Sequence, residues 1–99
     1  MEKLELLKVF KALSDDTRLE IVQMLSLEKR CACQLQEKFD ITQPTLSHHM
    51  KMLVDSQLLI QTKIGKWVYY QINPDVLNDI LVFITDLSET KSSLESCEV

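Results

Sequence analysis

Leu4, Leu7 and Phe10, with Leu6 and Leu13 beside them, recur at the spacing of one helix face, which predicts a first helix over about residues 2–12. Ser14-Asp15-Asp16 interrupts the pattern and offers side chains that cap a helix N-terminus. A second helix is expected from there to about Leu25, with Leu19, Val22 and Leu25 facing inward. Glu28-Lys29-Arg30 is a polar break before a short third helix over about residues 31–39. Asp40 ends that helix, and Ile41 is expected to be buried in the turn. Thr42 can cap a fourth helix whose first turn tolerates Pro44, and Leu46, Met50 and Leu53 fall at i, i+4 and i+7 on its inner face.

The period changes at Leu58. Residues 58–63 and 67–72 are rich in Ile, Val, Tyr and Trp, the side chains that strands favour. Between them lies Ile64-Gly65-Lys66, with the only glycine of the chain, which permits the positive φ of a tight hairpin turn. Asn73-Pro74 closes the hairpin and begins a last helix to about Leu87. The pattern predicts a mainly α fold: a winged helix-turn-helix with a two-stranded β-hairpin wing, flanked by N- and C-terminal helices. Residues 1–87 form its single domain, and the polar, serine-rich residues 88–99 are expected to be a flexible tail. The last helix is apolar almost all round, from Val76 and Leu77 through Ile80, Leu81, Phe83 and Ile84. One face can pack on its own domain, and the remainder predicts a twofold partner, hence a homodimer.

With 99 residues, 45% of them hydrophobic, the chain suits one small globular domain, and a dimer would enlarge its limited core. No apolar run approaches the roughly 20 residues of a membrane span, and the acidic amphipathic start is unlike a signal peptide, so no membrane and a cytoplasmic location are expected. In that compartment its three cysteines are expected to be thiols rather than disulfides. A net charge of −4 runs against nucleic-acid binding, but the charges are unevenly spread. Residues 43–73 carry Lys51, Lys63 and Lys66 against Asp55 alone, whereas residues 74–99 carry one base against six acids. Phosphate neutralisation is local, so acid far from the reading surface does not prevent double-stranded DNA binding, although the basic patch is thin.

In a helix-turn-helix the second helix enters the major groove. With Leu46, Met50 and Leu53 turned inward, Gln43, Thr45, Ser47, His48 and Lys51 lie on or near its outer face. Gln can pair bidentately with adenine, and Ser or Thr can donate to bases or phosphates. Lys63 and Lys66 on the wing would meet phosphates or a minor groove. His48 and His49 point about 100° apart on a helix, so they are not expected to chelate one ion: one faces DNA and the other packs at the helix seam. Trp67, Tyr69 and Tyr70 are expected to be half-buried wing packing rather than base-stacking groups.

Four segments, in order, resemble the ArsR/SmtB family of small dimeric repressors. Leu13-Ser14-Asp15-Asp16-Thr17-Arg18-Leu19-Glu20-Ile21 is similar to its opening motif, and Cys31-Ala32-Cys33-Gln34-Leu35 to the sensing element of its arsenic and cadmium/lead members. Gln43 to Lys51 resembles its recognition helix, and Gly65-Lys66 with Tyr69-Tyr70 its wing. The resemblance covers about residues 5–87 and is nearest to the arsenical-resistance repressors. It implies a homodimer joined by the first and last helices, and repression of the protein's own resistance operon until an effector binds.

Thiolates select soft ions. Trivalent arsenic and antimony take three sulfurs in a pyramid, and cadmium and lead also favour sulfur-rich sites. Lys29, Arg30 and the neighbouring helix N-terminus favour the thiolate forms of Cys31 and Cys33. Residues i and i+2 of an ideal helix diverge by about 200°. One ion can therefore take both sulfurs only if this turn is non-helical or becomes so, and in the second case binding would distort the third helix and misplace the fourth. Relatives often carry another cysteine three residues after the second, where this chain has Gln36, so Cys97 is the only other protein thiol for a third position. A small thiol or water is the alternative. The effector expected is arsenite or antimonite. The runner-up is a cadmium- or lead-responsive repressor, whose relatives add cysteines from an N-terminal extension lacking here. A family zinc site on the last helix is excluded because Asp75, Asp79 and Asp86 have no His beside them. A redox switch ranks low, because a disulfide two residues apart closes a strained ring. An enzyme is not expected: a Cys–His pair has no orienting third group or Gly-rich loop here. A constitutive DNA-binding protein with structural cysteines is the remaining alternative.

Overall fold

The computed structural model describes residues 1–89. Its elements run α1 (Lys3–Leu13), α2 (Asp16–Leu25), β1 (Arg30–Cys31), α3 (Ala32–Lys38), α4 (Gln43–Asp55), β2 (Leu59–Ile64), β3 (Trp67–Ile72) and α5 (Pro74–Ser88). No helix among the described residues is long and apolar enough to cross a membrane.

The helix boundaries follow local chemistry. Asp15, in extended conformation, caps α2 by accepting the Arg18 amide at 3.0 Å. Thr42 Oγ1 does the same for α4 from the Thr45 amide, and Asn73 Oδ1 for α5 from the Asp75 amide, with Pro44 and Pro74 in the first turns where no amide is needed. The hairpin turns on Gly65 at φ +61°, with Ile64 paired to Trp67. Ile21, Leu35, Leu53, Leu58 and Val9 are the largest fully enclosed side chains, drawn from four helices and the start of the hairpin. Leu46, Met50 and Leu53 face this core as their spacing predicts.

Three expectations need correction. The wing is not merely two-stranded: β1 adds to β3, giving an antiparallel sheet in the order β1-β3-β2, with Arg30 opposite Tyr70 and Cys31 opposite Tyr69. Leu19 of α2 is exposed, and the inner face is instead Arg18, Ile21 and Leu25, because a buried Arg replaces the leucine that hydrophobicity alone would choose. Ser88 ends α5 rather than opening a tail. The rest of the predicted tail, from residue 90, and with it Cys97, lies outside the described residues.

Leu4 and Leu7 of α1 and Leu77, Leu81, Val82 and Ile84 of α5 remain largely exposed. The two helices are tied where Phe10 and Phe83 meet in a tilted ring contact, centroids 6.1 Å apart.

Candidate effector site and DNA-reading surface

Cys31 does not belong to a helix. Its backbone is extended (φ −84°, ψ 160°), paired to β3, and it forms the N-cap of α3, where its amide donates to Gln34 Oε1 at 3.0 Å. Cys33 lies one residue inside the helix. The 200° divergence therefore never arises: the two side chains converge, with Cα atoms 5.4 Å apart, inside the usual range for a disulfide. The sulfurs are joined as a disulfide. This overturns the expectation of two free thiols. The extended residue supplies the close approach that a helical turn would deny. Of the two routes to a shared ion, the turn is already non-helical, so capture of an ion by the reduced pair does not require α3 to unwind.

Both cysteines open into a groove of about 380 Å³ between α3, α4 and the hairpin. Its other walls include Gln36 of α3, Gln43, Leu46 and Ser47 of α4, and Lys66 and Trp67 at the hairpin turn. The soft-ligand pair thus shares one cavity with the recognition helix and the wing. Among the described residues no cluster of three or more His, Cys, Asp or Glu side chains could hold a metal ion, so Cys31 and Cys33 stand without a third protein ligand of those types there.

The proposed readers all lie outward. Gln43, Thr45, Ser47, His48 and Lys51 are exposed along α4, and Lys63 and Lys66 are exposed on the hairpin. Two are engaged locally: Thr45 Oγ1 accepts from Thr42 Oγ1 at 2.9 Å, and Lys51 Nζ donates to Asp55 Oδ2 at 2.9 Å. Both contacts are on the surface and easily exchanged for a phosphate. Tyr70 is buried, and its hydroxyl accepts from Gln61 Nε2; burial raises its pKa above the ordinary tyrosine value. Trp67 is about half exposed (48%), with Lys66 Nζ 5.4 Å from its ring centre.

Reasoning from the sequence missed a polar clamp behind the reader. Arg18, 8% exposed, donates from Nε to the Ala12 carbonyl at 2.7 Å and lies with Nη1 3.1 Å from His49 Nδ1. A guanidinium only donates, so His49 Nδ1 accepts and the ring proton sits on Nε2. Asp15 Oδ2 is 3.8 Å from the same Nδ1, too far for a hydrogen bond. One buried cation thereby joins the end of α1, the start of α2 and the middle of α4, while His48 faces solvent, as the 100° offset predicts. The Arg18 amide is the main cause of the lowered pKa of Asp15, helped by the nearby Arg18 charge against some desolvation. The stabilisation this gives is complete above the ordinary aspartate pKa and is lost as pH falls through the lowered one. Replacing Arg18 with Ala is expected to cost about 2 kcal/mol, the worth of charge-assisted hydrogen bonds lost with their partners left buried. Thermal unfolding followed by circular dichroism should show a Tm lower by on the order of 10 °C.

A family model described as the bacterial regulatory protein arsR family matches residues 15–60. The chain is 46% identical over 93 residues to the arsenical resistance operon repressor of Staphylococcus aureus, covering 94% of this chain and 86% of that protein. It is 50% identical over 76 residues to the repressor of the same description from Staphylococcus xylosus, covering 77% and 73%. Among solved structures, an ArsR-like transcriptional regulator from Rhodococcus sp. RHA1 aligns with a TM-score of 0.76 at 27% identity, covering 86% of this chain and 80% of the other.

Proposed function

This chain belongs to the ArsR family of bacterial transcriptional repressors, and from that premise we propose that it is a homodimeric repressor whose hold on operator DNA is released by trivalent arsenic or antimony bound to Cys31 and Cys33. The observation that carries this reading is the shared groove: the two convergent cysteines line one cavity with residues of the recognition helix and of the wing. An ion on the sulfurs fills space that α4 and the hairpin also line, so the relative setting of the two DNA-contacting elements depends on whether the groove is occupied. A coupling of about 1–3 kcal/mol, ordinary for allosteric proteins, would weaken DNA binding by about 5–150-fold. Gln43, Thr45, Ser47, His48 and Lys51 would contact the major groove, and Lys63 and Lys66 the flanking backbone. The arsenical-resistance relatives favour a metalloid over cadmium or lead, and so does a pair of cysteines without a nearby protein ligand among the described residues. Cys97 is the alternative protein ligand for the third position.

The test is binding of the fully reduced protein to fluorescent DNA from upstream of its own gene, with arsenite, antimonite, cadmium, lead and zinc titrated in turn. Release by arsenite or antimonite at low dose is the expected result. Release by cadmium or lead alone would hand the site to divalent ions, and binding that no ion disturbs would make the cysteines structural. The disulfide favours a second reading, in which oxidation of the same pair sets DNA affinity. A difference in DNA affinity between reduced and oxidised protein, with no ion added, would support it.

A further inference from the structure

We propose that Gln36 belongs to the effector site: its unpartnered Oε1 accepts a hydrogen bond from the single hydroxyl that trivalent arsenic retains once Cys31 and Cys33 have displaced the other two. The inference rests on the metalloid reading above and adds the form in which the metalloid is held. Gln36 Nε2 donates to the Ile41 carbonyl at 2.6 Å, which fixes the amide and leaves Oε1 turned the other way. That oxygen is buried and has no hydrogen-bond partner among the described residues. Buried acceptors left orphaned are uncommon and costly, so each calls for an account. Gln36 lines the same groove as both cysteines. Cys33 and Gln36 are also three residues apart on α3, where side chains are neighbours on one face.

The chemistry balances without a redox partner. Arsenite, As(OH)3, meets two cysteine thiols; two As–O bonds break and two As–S bonds form. The two thiol protons leave with the displaced oxygens as two waters. Arsenic stays trivalent and keeps one hydroxyl, a hydrogen-bond donor with a fixed position relative to the two sulfurs. Gln36, which lines the same groove, carries an acceptor oxygen with no partner among the described residues, the kind of group such a donor requires. The disulfide must first be opened to the dithiol, so a phosphine reductant, which brings no competing thiol, is the condition for the test.

Arsenite and phenylarsine oxide separate this proposal from the broader one. The aryl arsenical is captured by the same two thiols but ends with an As–C bond and no hydroxyl. Gln36→Leu should raise the arsenite dose needed for release of operator DNA by about 2–12-fold, the equivalent of one ordinary hydrogen bond, while the dose of phenylarsine oxide stays within about twofold of wild type. Gln36→Glu, which restores an acceptor but not the donor to Ile41, should recover the arsenite response. X-ray absorption at the arsenic edge should find two sulfurs and one oxygen in the wild-type protein. Three sulfurs, or a Leu variant that shifts both arsenicals equally or neither, would overturn the role of Gln36 and leave capture by the cysteines intact. A wild-type protein that neither arsenical releases would overturn both readings.

Discussion

Replacing Cys31 and Cys33 together with serine is expected to leave operator binding within about threefold of wild type and to abolish release by arsenite at any dose the wild-type protein responds to. Serine nearly matches the thiol in size; Cys33 is exposed, and Cys31, though buried, is held by backbone pairing to β3 and by its amide bond to Gln34. A hydroxyl is a hard, feebly acidic ligand and does not replace a soft thiolate. The loss should therefore be in the response and not in the fold. Anisotropy titrations of the double variant with and without arsenite measure both. Release that persists would place the effector elsewhere, and operator binding that fails in the absence of arsenite would show that the pair has a structural role.

Charging the uncovered face of α5 should have a comparably large effect on DNA binding by a different route. Leu81 and Ile84 are 61% and 50% exposed, Leu77 of the same helix is exposed too, and so are Leu4 and Leu7 of α1 on a small protein. A surface of that kind calls for a partner, and a second copy supplies the matching face by symmetry. Leu81→Asp with Ile84→Asp should give a monomer in sedimentation at micromolar concentration, still folded because both side chains point away from the core. A dimer engages two half-sites, so losing the link should weaken operator binding by roughly 10²–10⁴-fold, the ordinary gain from tying two binding modules together. A variant that stays dimeric would move the interface off this face.

Most of the fold was legible because its boundaries are set by residues with a single role. Thr42 with Pro44, Asn73 with Pro74, and Gly65 each mark an end or a turn by chemistry that acts over three or four residues. The failures came where longer-range contacts decide. Arg30-Cys31 has no strand signature; it is extended because β3 offers it partners 38 and 40 residues away, Tyr69 for Cys31 and Tyr70 for Arg30. That pairing, invisible locally, is also why the cysteines converge. Leu19 was expected inside because its hydrophobicity favours burial, yet the end of α1 presents a carbonyl and α4 presents His49 Nδ1, and the buried Arg18 reaches both. Gln36 was noticed only for the cysteine it is not. Its orphaned oxygen is a product of the fold and leaves no mark in the sequence.

The pairing of β1 to β3 also places a demand on a stretch of chain that touches neither DNA nor effector. Side chains alternate across a sheet, so the identity of the residue opposite Tyr69 decides which side of it faces α3 and the groove. A change in the length of the connector between Leu25 and Arg30 that slid this register by one residue would turn Cys31 to the opposite side, with every chemical group still present. The length of this connector is thus a component of the sensor in its own right, and drift in this lineage should alter its residues far more freely than their number.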